Sequence, residues 1–477
     1  MLRRILTLTA LLLASAPLAH ATDLLQVWQL AKANDPAFQQ ALANRNASME
    51  AKPEAWANLF PSIDLTASRT WNNDSDSSVY PYGTTPTVNN TTTNTRYTQW
   101  EAKLTQTLFN WGQFKAVQGA DHSVVEAQAT YEAAFQGLIV SVSQAYFNVL
   151  NAQDNLNADT ANMQALSKQY EQSQQQYNVG LIAVTGVKQS EAGYDQARAL
   201  VIADRQALAQ AREALRAITG RYIPDLQSPR QNLPLHGPQP EDAGSWVKQG
   251  LESNPNLIAA QQAQKVAEAQ IGQQESGYLP SLNLVLSHTR SSTTGRGSNT
   301  YPPPGGIYPN EGNGSDNSIG LQVAWNIFSG GATRALTKQY RYQADAAMAQ
   351  EITQRRSVEQ QVRNAYLAVL SGIASVKANR QSVEASQVSL QATEAGLKVG
   401  TQTTLDVLTA RKTLLDSQKA YYNARYTYMV AVLQLEQAAG TLNVKDIQRL
   451  NALLAPVQST PVPGTTPAVP PATTDAN

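Results

Sequence analysis

An α+β fold built twice over is what this sequence predicts, with very long helices and short strand pairs in each copy. Three observations carry that reading: a duplication across the chain, two long tracts without proline, and four segments in which apolar and polar residues alternate.

The duplication is read from matched landmarks. Asn34-Asp35-Pro36 answers Ser253-Asn254-Pro255, and Leu59-Phe60-Pro61-Ser62-Ile63-Asp64-Leu65 answers Tyr278-Leu279-Pro280-Ser281-Leu282-Asn283-Leu284, each at 255 − 36 = 280 − 61 = 219. Leu108-Phe109-Asn110-Trp111-Gly112 pairs with Ile327-Phe328-Ser329-Gly330-Gly331 at the same offset. Beyond it one inserted residue makes the offset 220, as in Ala145-Tyr146 against Ala365-Tyr366, Val179-Gly180 against Val399-Gly400, and Gly220 against Gly440. Both copies contain helices and strands, so they share one structure instead of forming two separate beads.

Proline is absent from Thr87 to Ile223 and from Asn310 to Ala455, which predicts two long helical stretches. In the first, Phe135, Leu138, Val142, Ala145, Val149, Ala152 and Leu156 alternate steps of three and four; in the second, Val358, Val362, Ala365, Val369 and Val376 keep a similar rhythm. Leu408, Leu415, Tyr422 and Met429 stand seven apart, the spacing of a stripe that packs with supercoiling. Most other positions are Gln, Asn, Ser, Thr or Ala, so water lies on at least one side. Helices over about 113–178 and 333–398 would each extend roughly 100 Å, against a hydrocarbon core of about 30 Å. They are expected to lie outside a membrane.

The spanning candidates are the strands. Ile63, Leu65 and Ala67 alternate with Asp64, Thr66 and Ser68, and Trp100, Ala102 and Leu104 alternate with Glu101, Lys103 and Thr105. In the second copy Leu282, Leu284 and Leu286, and then Ile319, Leu321, Val323, Trp325 and Ile327, form the apolar side. One apolar and one polar face suits a strand between lipid and a watery lumen. Long polar loops are expected over about Asn72–Arg96 and Thr289–Asn317, with Trp71, Tyr97, Trp100 and Trp325 at the strand ends. A soluble four-stranded sheet capped by helices shares the same alternation. Lipid-exposed strands must close, and four are too few for a barrel of about eight or more. If the chain spans a membrane it oligomerises, two copies giving eight strands and three giving twelve.

At the start, Arg3 and Arg4, an apolar run from Ile5 to Ala14, and Ala19-His20-Ala21 read as a secretory signal peptide over 1–21, so the exported chain begins at Thr22. A first repeat over 22–223 then holds a helix, a strand hairpin over about 61–111, a long helix over about 113–178 and a return helix over about 185–220. A Pro-rich connector over 224–243 leads to a second repeat over 244–442, with its hairpin over about 280–328, long helix over about 333–398 and return helix over about 403–440. A segment over 443–455 and a Pro/Thr-rich tail over 456–477, read as disordered from composition, close the chain.

Composition excludes several functions. The 477 residues contain no cysteine, and 36 Lys plus Arg balance 36 Asp plus Glu, which gives no electrostatic case for nucleic acid. Four scattered histidines offer no metal site. No nucleophile elbow, phosphate loop or metal-spaced His pair is present, so no catalytic residue, cofactor or enzyme activity is expected. An exported coiled-coil scaffold without a pore is the alternative; it leaves the strand hairpins unexplained.

Each long helix ends at a Val-Gly turn. Glycine just past a helix end supplies a left-handed cap, and Thr nearby caps the helix that follows. The duplication, the Leu-Pro-Ser-Leu and Leu-Phe-Asn-Trp-Gly signatures and these paired tips resemble the TolC family of outer-membrane efflux channels. The resemblance runs to about Leu453. It implies a homotrimer with a twelve-stranded β-barrel in outer-membrane lipid of a Gram-negative bacterium, continuous with a periplasmic α-helical coiled-coil barrel. It further implies a periplasmic adaptor and an inner-membrane pump as partners, drug efflux or type I protein secretion as the task, and an equatorial place for 224–243 and 443–455.

The resemblance places the entrance at the tips, with adaptor contact at Gly180, Leu181, Gly400 and Thr401. Similar family members bond neighbouring coils shut with an Asp in the first tip and a Tyr and an Arg in the second. The matching positions here are Gly186, Leu397 and Gln402, beside a retained Thr185. A gate without that charged link depends on packing and neutral hydrogen bonds; an exposed ion pair is worth only ~0.2–1 kcal/mol. Two Asp rings of those relatives match Asp406 and Thr409, so one ring survives as a pore constriction that would attract cations. On its own, Asp406 also suits the first turn of a helix.

Overall fold

A computed structural model describes residues 21–82, 85–230, 233–302 and 304–455. The expected signal peptide, apart from Ala21, and the tail over 456–477 lie outside the described residues. The chain forms α1 (Leu24–Asn34), α2 (Pro36–Met49), α3 (Ala51–Ala57), β1 (Ser62–Tyr82), β2 (Thr85–Phe109), α4 (Trp111–Asn178), α5 (Val184–Thr219) and β3 (Ser228–Pro229). It continues with α6 (Ala243–Ser253), α7 (Pro255–Glu275), β4 (Ser281–Asn299), β5 (Gly306–Pro309), β6 (Gly312–Ala324), α8 (Ala332–Lys398), α9 (Thr404–Ala438), α10 (Val444–Asn451) and β7 (Leu454–Ala455). Two compact units result: one gathers the chain up to Asn44, Ala129–Ile258 and everything from Thr353, the other Arg45–Gln128 with Ala259–Ile352.

The second unit carries an antiparallel sheet in the order β1-β2-β4, with β6 and then β5 pairing successive stretches of β4. Register places Ile63, Leu104, Leu286 and Ile319 in one row across the sheet. All four share a face, because alternate residues of a strand point to opposite sides. Ile63 and Ile319 are each 75 % exposed, and Leu65, Leu321 and Val323 are exposed beside them. Asp64, Thr66, Lys103 and Asn283 occupy the opposite face. Among the described residues, the outer edge of β1 and that of β6 pair with nothing.

The strands run much farther than the apolar alternation. Asn72–Tyr82 pairs with Thr85–Thr95, and β4 continues to Asn299, where loops were expected. Beyond the apolar belt both faces are mostly polar, the Val79–Val88 pair excepted, so periodicity in hydropathy vanishes while the backbone ladder continues. Thr87, Thr91, Thr92, Thr93 and Thr95 supply the β-branched stiffness that suits it. Consequently Trp71 and Trp100 mark the end of the belt, not of the strands. Tyr97 lies on the polar face, its hydroxyl 3.0 Å from Gln99 Oε1, and Trp325 follows β6.

The first unit holds the helical core. Leu138, Val142, Ala145 and Val149 of α4, Val358, Val362, Val369 and Val376 of α8, and Leu415 and Met429 of α9 are buried on the predicted stripes. Phe147 stacks on Tyr426 with ring centroids 5.8 Å apart. An 18-residue window of α4 is apolar enough to cross a membrane by composition, but 56 % of that window is buried inside the protein.

Duplicated landmarks do duplicated work. Asp35 and Asn254 each end a short helix just before proline, where α conformation is disfavoured. Each then caps the next helix, Asp35 Oδ2 accepting from Phe38 N at 3.0 Å and Asn254 Oδ1 from Leu257 N at 3.2 Å. Gly440, at φ 72°, passes so close that a Cβ would stand 2.3 Å from the Ser253 carbonyl oxygen. Tyr146 Oη donates to Gln227 O at 2.7 Å and Tyr366 Oη to Glu241 O at 2.8 Å, so each copy pins part of the Pro-rich connector. β3 and β7 join that connector to the segment before the tail.

One polar cluster interrupts the helical packing. Lys419 of α9 bridges Asp159 of α4 and Asp204 of α5, and the Asp159 side chain is only 1 % exposed. Burial, then the neighbouring Asp204, push the Asp159 carboxyl up to about 6. Removing one partner of a buried pair costs about 3–5 kcal/mol, so Lys419→Ala should lower denaturant stability by about 3 kcal/mol. A carboxyl raised in the folded state takes up its proton before the unfolded chain does, so its contribution falls as pH climbs from about 4 to about 6. Asp159→Asn should flatten that part of the stability profile measured by denaturant unfolding.

Candidate entrance at the helical tips

Both tips are built by the same backbone device. Leu181 N donates to Gln176 O at 2.8 Å and Gly180 N to Tyr177 O at 2.9 Å; Thr401 N donates to Gly396 O at 2.9 Å and Gly400 N to Leu397 O at 3.2 Å. These paired bonds close the last carbonyls of α4 and α8. Gly180 at φ 75° and Gly400 at φ 79° have open space where a Cβ would sit, so the backbone angle alone selects glycine.

The second helices start differently. Thr403 caps α9 in a reciprocal box: Asp406 N donates to Thr403 Oγ1 at 3.2 Å, while Thr403 N and Oγ1 donate to Asp406 Oδ2 at 2.8 and 2.7 Å. The Thr403 hydroxyl and amide hold the exposed Asp406 carboxyl below its ordinary range, so it remains ionised. α5 starts at Ala183 with no side-chain cap. Thr185 is exposed; Gly186, half-buried, lies against Ile182, and its carbonyl accepts from Ser190 Oγ at 3.0 Å.

Leu397 is half-buried. Gln402 folds back over Gly396, where a Cβ would meet Gln402 Cγ at 2.6 Å. The Thr409 hydroxyl bonds Leu405 O at 2.9 Å within its own helix. Among the described residues no hydrogen bond joins Thr185 or Gly186 to Leu397 or Gln402. The two hairpins meet farther in, where Leu408 packs on Gly193. Exposed apolar side chains crowd both turns, with Leu181 73 % and Val399 76 % exposed.

Residues 27–221 and 246–441 match the family described as outer membrane efflux protein. The chain belongs to the outer membrane efflux protein family. The two matched stretches correspond to the two copies of the duplication. Outer membrane protein TolC of Escherichia coli strain K12 is 35 % identical over 446 residues, covering 93 % of this chain and 87 % of that protein. Alkaline protease secretion protein AprF of Pseudomonas aeruginosa is 26 % identical over 94 % of this chain and 92 % of its own length. The Campylobacter jejuni CmeC outer membrane channel shares the fold at a TM-score of 0.72 and 16 % identity, covering 91 % of this chain and 90 % of CmeC. Like other members of the efflux family, this is an outer-membrane protein of a Gram-negative bacterium with a large periplasmic portion.

Sequence reasoning passed over the ties behind the efflux protein's tips. Ser173 and Ser190, both buried, bond at 2.9 Å in the first hairpin, whereas Arg411 pairs with Glu394 in the second. For Arg411 the 220-residue offset held a signal, since it answers Glu191; in the polar cluster Lys419 likewise answers Ala199 and Asp159 answers Asn379. Such mismatches mark where two similar helices have distinct neighbours. Loss of an N-cap costs about 1 kcal/mol. Thr403→Ala should therefore speed amide exchange at Asp406 and Val407 about fivefold, while the first turn of α5 stays unchanged.

Proposed function

We propose that three copies of this chain close their sheets into a twelve-stranded outer-membrane barrel, opening into a periplasmic tunnel of paired helices. The protein is an outer-membrane exit duct for efflux or secretion. The observation that supports closure between copies is the sheet itself, with one exposed apolar face and unpaired edges on both β1 and β6, and membership of the efflux family favours three copies. Unpaired backbone groups in hydrocarbon each cost several kcal/mol, so the edges require partners. A scaffold without a pore would leave Ile63, Leu65, Ile319 and Leu321 in water.

In this reading the repeats over 22–223 and 244–442 act as two similar staves, so three chains supply six around the axis. A periplasmic adaptor engages the apolar tips at Gly180, Leu181, Gly400 and Thr401, and hands over cargo from an inner-membrane pump. AprF is named for protease secretion, which supports proteins as cargo, and the family description as an efflux protein supports small toxic compounds. Thr185, Gly186, Leu397 and Gln402 form a gate without a charged link. Asp406 and Thr409 line the constriction. The capping box holds one oxygen of Asp406 and keeps the group ionised, so three copies would present a ring of negative charge to the pore.

Single-channel recording in planar bilayers tests this. The intact protein should conduct with cation preference, and Asp406→Ala should lose most of that preference and most of its block by multivalent cations. Unchanged selectivity would remove Asp406 from the pore; absence of any conductance in the intact protein would contradict the duct.

A further inference from the structure

The strands sort their charges by face. On the apolar face, beyond the belt, stand Arg69 of β1, Arg96 of β2, and Arg290 and Arg296 of β4. Every carboxylate of the paired strands, Asp64, Asp74, Asp76, Glu101 and Asp316, has the opposite parity and lies on the polar face with Lys103. A face that merely needs solubility mixes both signs. This one carries cations without a counter-charge.

Register sets these arginines close together. Arg69 pairs across from Thr98, Arg96 from Trp71 and Thr294, and Arg296 from Asn94, so Arg69, Arg96 and Arg296 step diagonally from strand to strand. Diagonal neighbours lie about 7–8 Å apart, near enough for like charges to repel. All four are exposed, and none forms an ion pair with a described residue. Arg290 stands in register beside Trp100, and Arg69 lies over the Trp71 ring at 5.6 Å.

Depth fits a headgroup layer. The helices join the sheet at the end carrying Ser62, Phe109, Ser281 and Ala324, which is therefore the periplasmic end. Arg290 lies 290 − 282 = 8 residues beyond Leu282, about 27 Å along the strand and about 21 Å in depth at a 40° tilt. An apolar band is about 25 Å tall, so Arg290, level with Trp100, stands a few ångströms inside its outer edge, and the other three arginines continue outward. Guanidinium groups there match phosphate bidentately, and each is shielded little by the low-dielectric belt below.

We infer that this basic ladder on the outer face of the sheet is a docking surface for the phosphorylated headgroups of the outer-leaflet glycolipid, whose phosphates supply the counter-charge the face lacks. The inference rests on the sheet spanning the outer membrane.

Binding to the purified full-length protein in detergent tests it by native mass spectrometry, using diphosphoryl lipid A, the same lipid A after enzymatic dephosphorylation, and inorganic phosphate as probes. The intact protein should retain diphosphoryl lipid A and release the dephosphorylated form, and inorganic phosphate should not displace the lipid. R69Q/R96Q/R296Q should retain at least tenfold less, while D64N/D74N/E101Q, altered on the polar face, retains as much as the intact protein. Equal retention of both lipids, full displacement by inorganic phosphate, or undiminished retention by the triple arginine variant would overturn the docking surface. Conductance of the arginine variant in bilayers, expected to be unchanged, shows that it has folded and separates this result from failure of the duct.

Discussion

Backbone groups along the two free edges of one sheet govern much of what this chain must do. β1 and β6 each present a row of N–H and C=O groups with no partner among the described residues. In water such an edge is a hazard that proteins blunt with charge or bulges; in hydrocarbon it cannot persist. The exposed belt of Ile63, Leu65, Ile319 and Leu321 suits a sheet whose edges lie in hydrocarbon. If the sheet spans the outer membrane, it is complete only when copies meet.

The duplication serves the same constraint. With two similar helix–hairpin–helix repeats in each chain, three copies would supply six staves to the proposed duct. Asp35 with Asn254, Tyr146 with Tyr366 and Gly180 with Gly400 keep the same tasks in both copies. Where the copies part, neighbours differ: Lys419 pairs with two carboxylates that its twin Ala199 could not hold, and Thr403 builds a capping box where the first tip has Ala183. The second tip holds a fixed anion at Asp406, and the first holds none.

Much of this was legible before any coordinates. Proline-free tracts and steps of three and four located α4 and α8, because a long helix needs an uninterrupted backbone and one apolar stripe. The outer halves of the strands were illegible: Asn72–Tyr82 and Thr85–Thr95 carry mostly polar residues on both faces, and only their backbone ladder makes them a sheet. At the tips, glycines announced the turns by their φ requirement. Asp406 allowed two readings, and the structure gives it the capping bond of a helix start while leaving the carboxylate ionised and exposed. Buried ties such as Ser173–Ser190 carry no local pattern, since each partner is an ordinary polar residue until the other helix arrives.

Closure between copies can be read by a disulfide scan in a chain with no native cysteine. Leu65→Cys would be combined in turn with single cysteines at Asn317, Ile319, Leu321 and Val323 of β6, and oxidised in outer-membrane vesicles. Within one chain these strands lie about 14 Å apart across the sheet, too far for a disulfide, which needs Cα atoms within about 7 Å. Sheets joined edge to edge give covalent trimers on denaturing gels for one register and few or none for the others. Monomers at every register, with the protein still in the membrane, would contradict closure between copies.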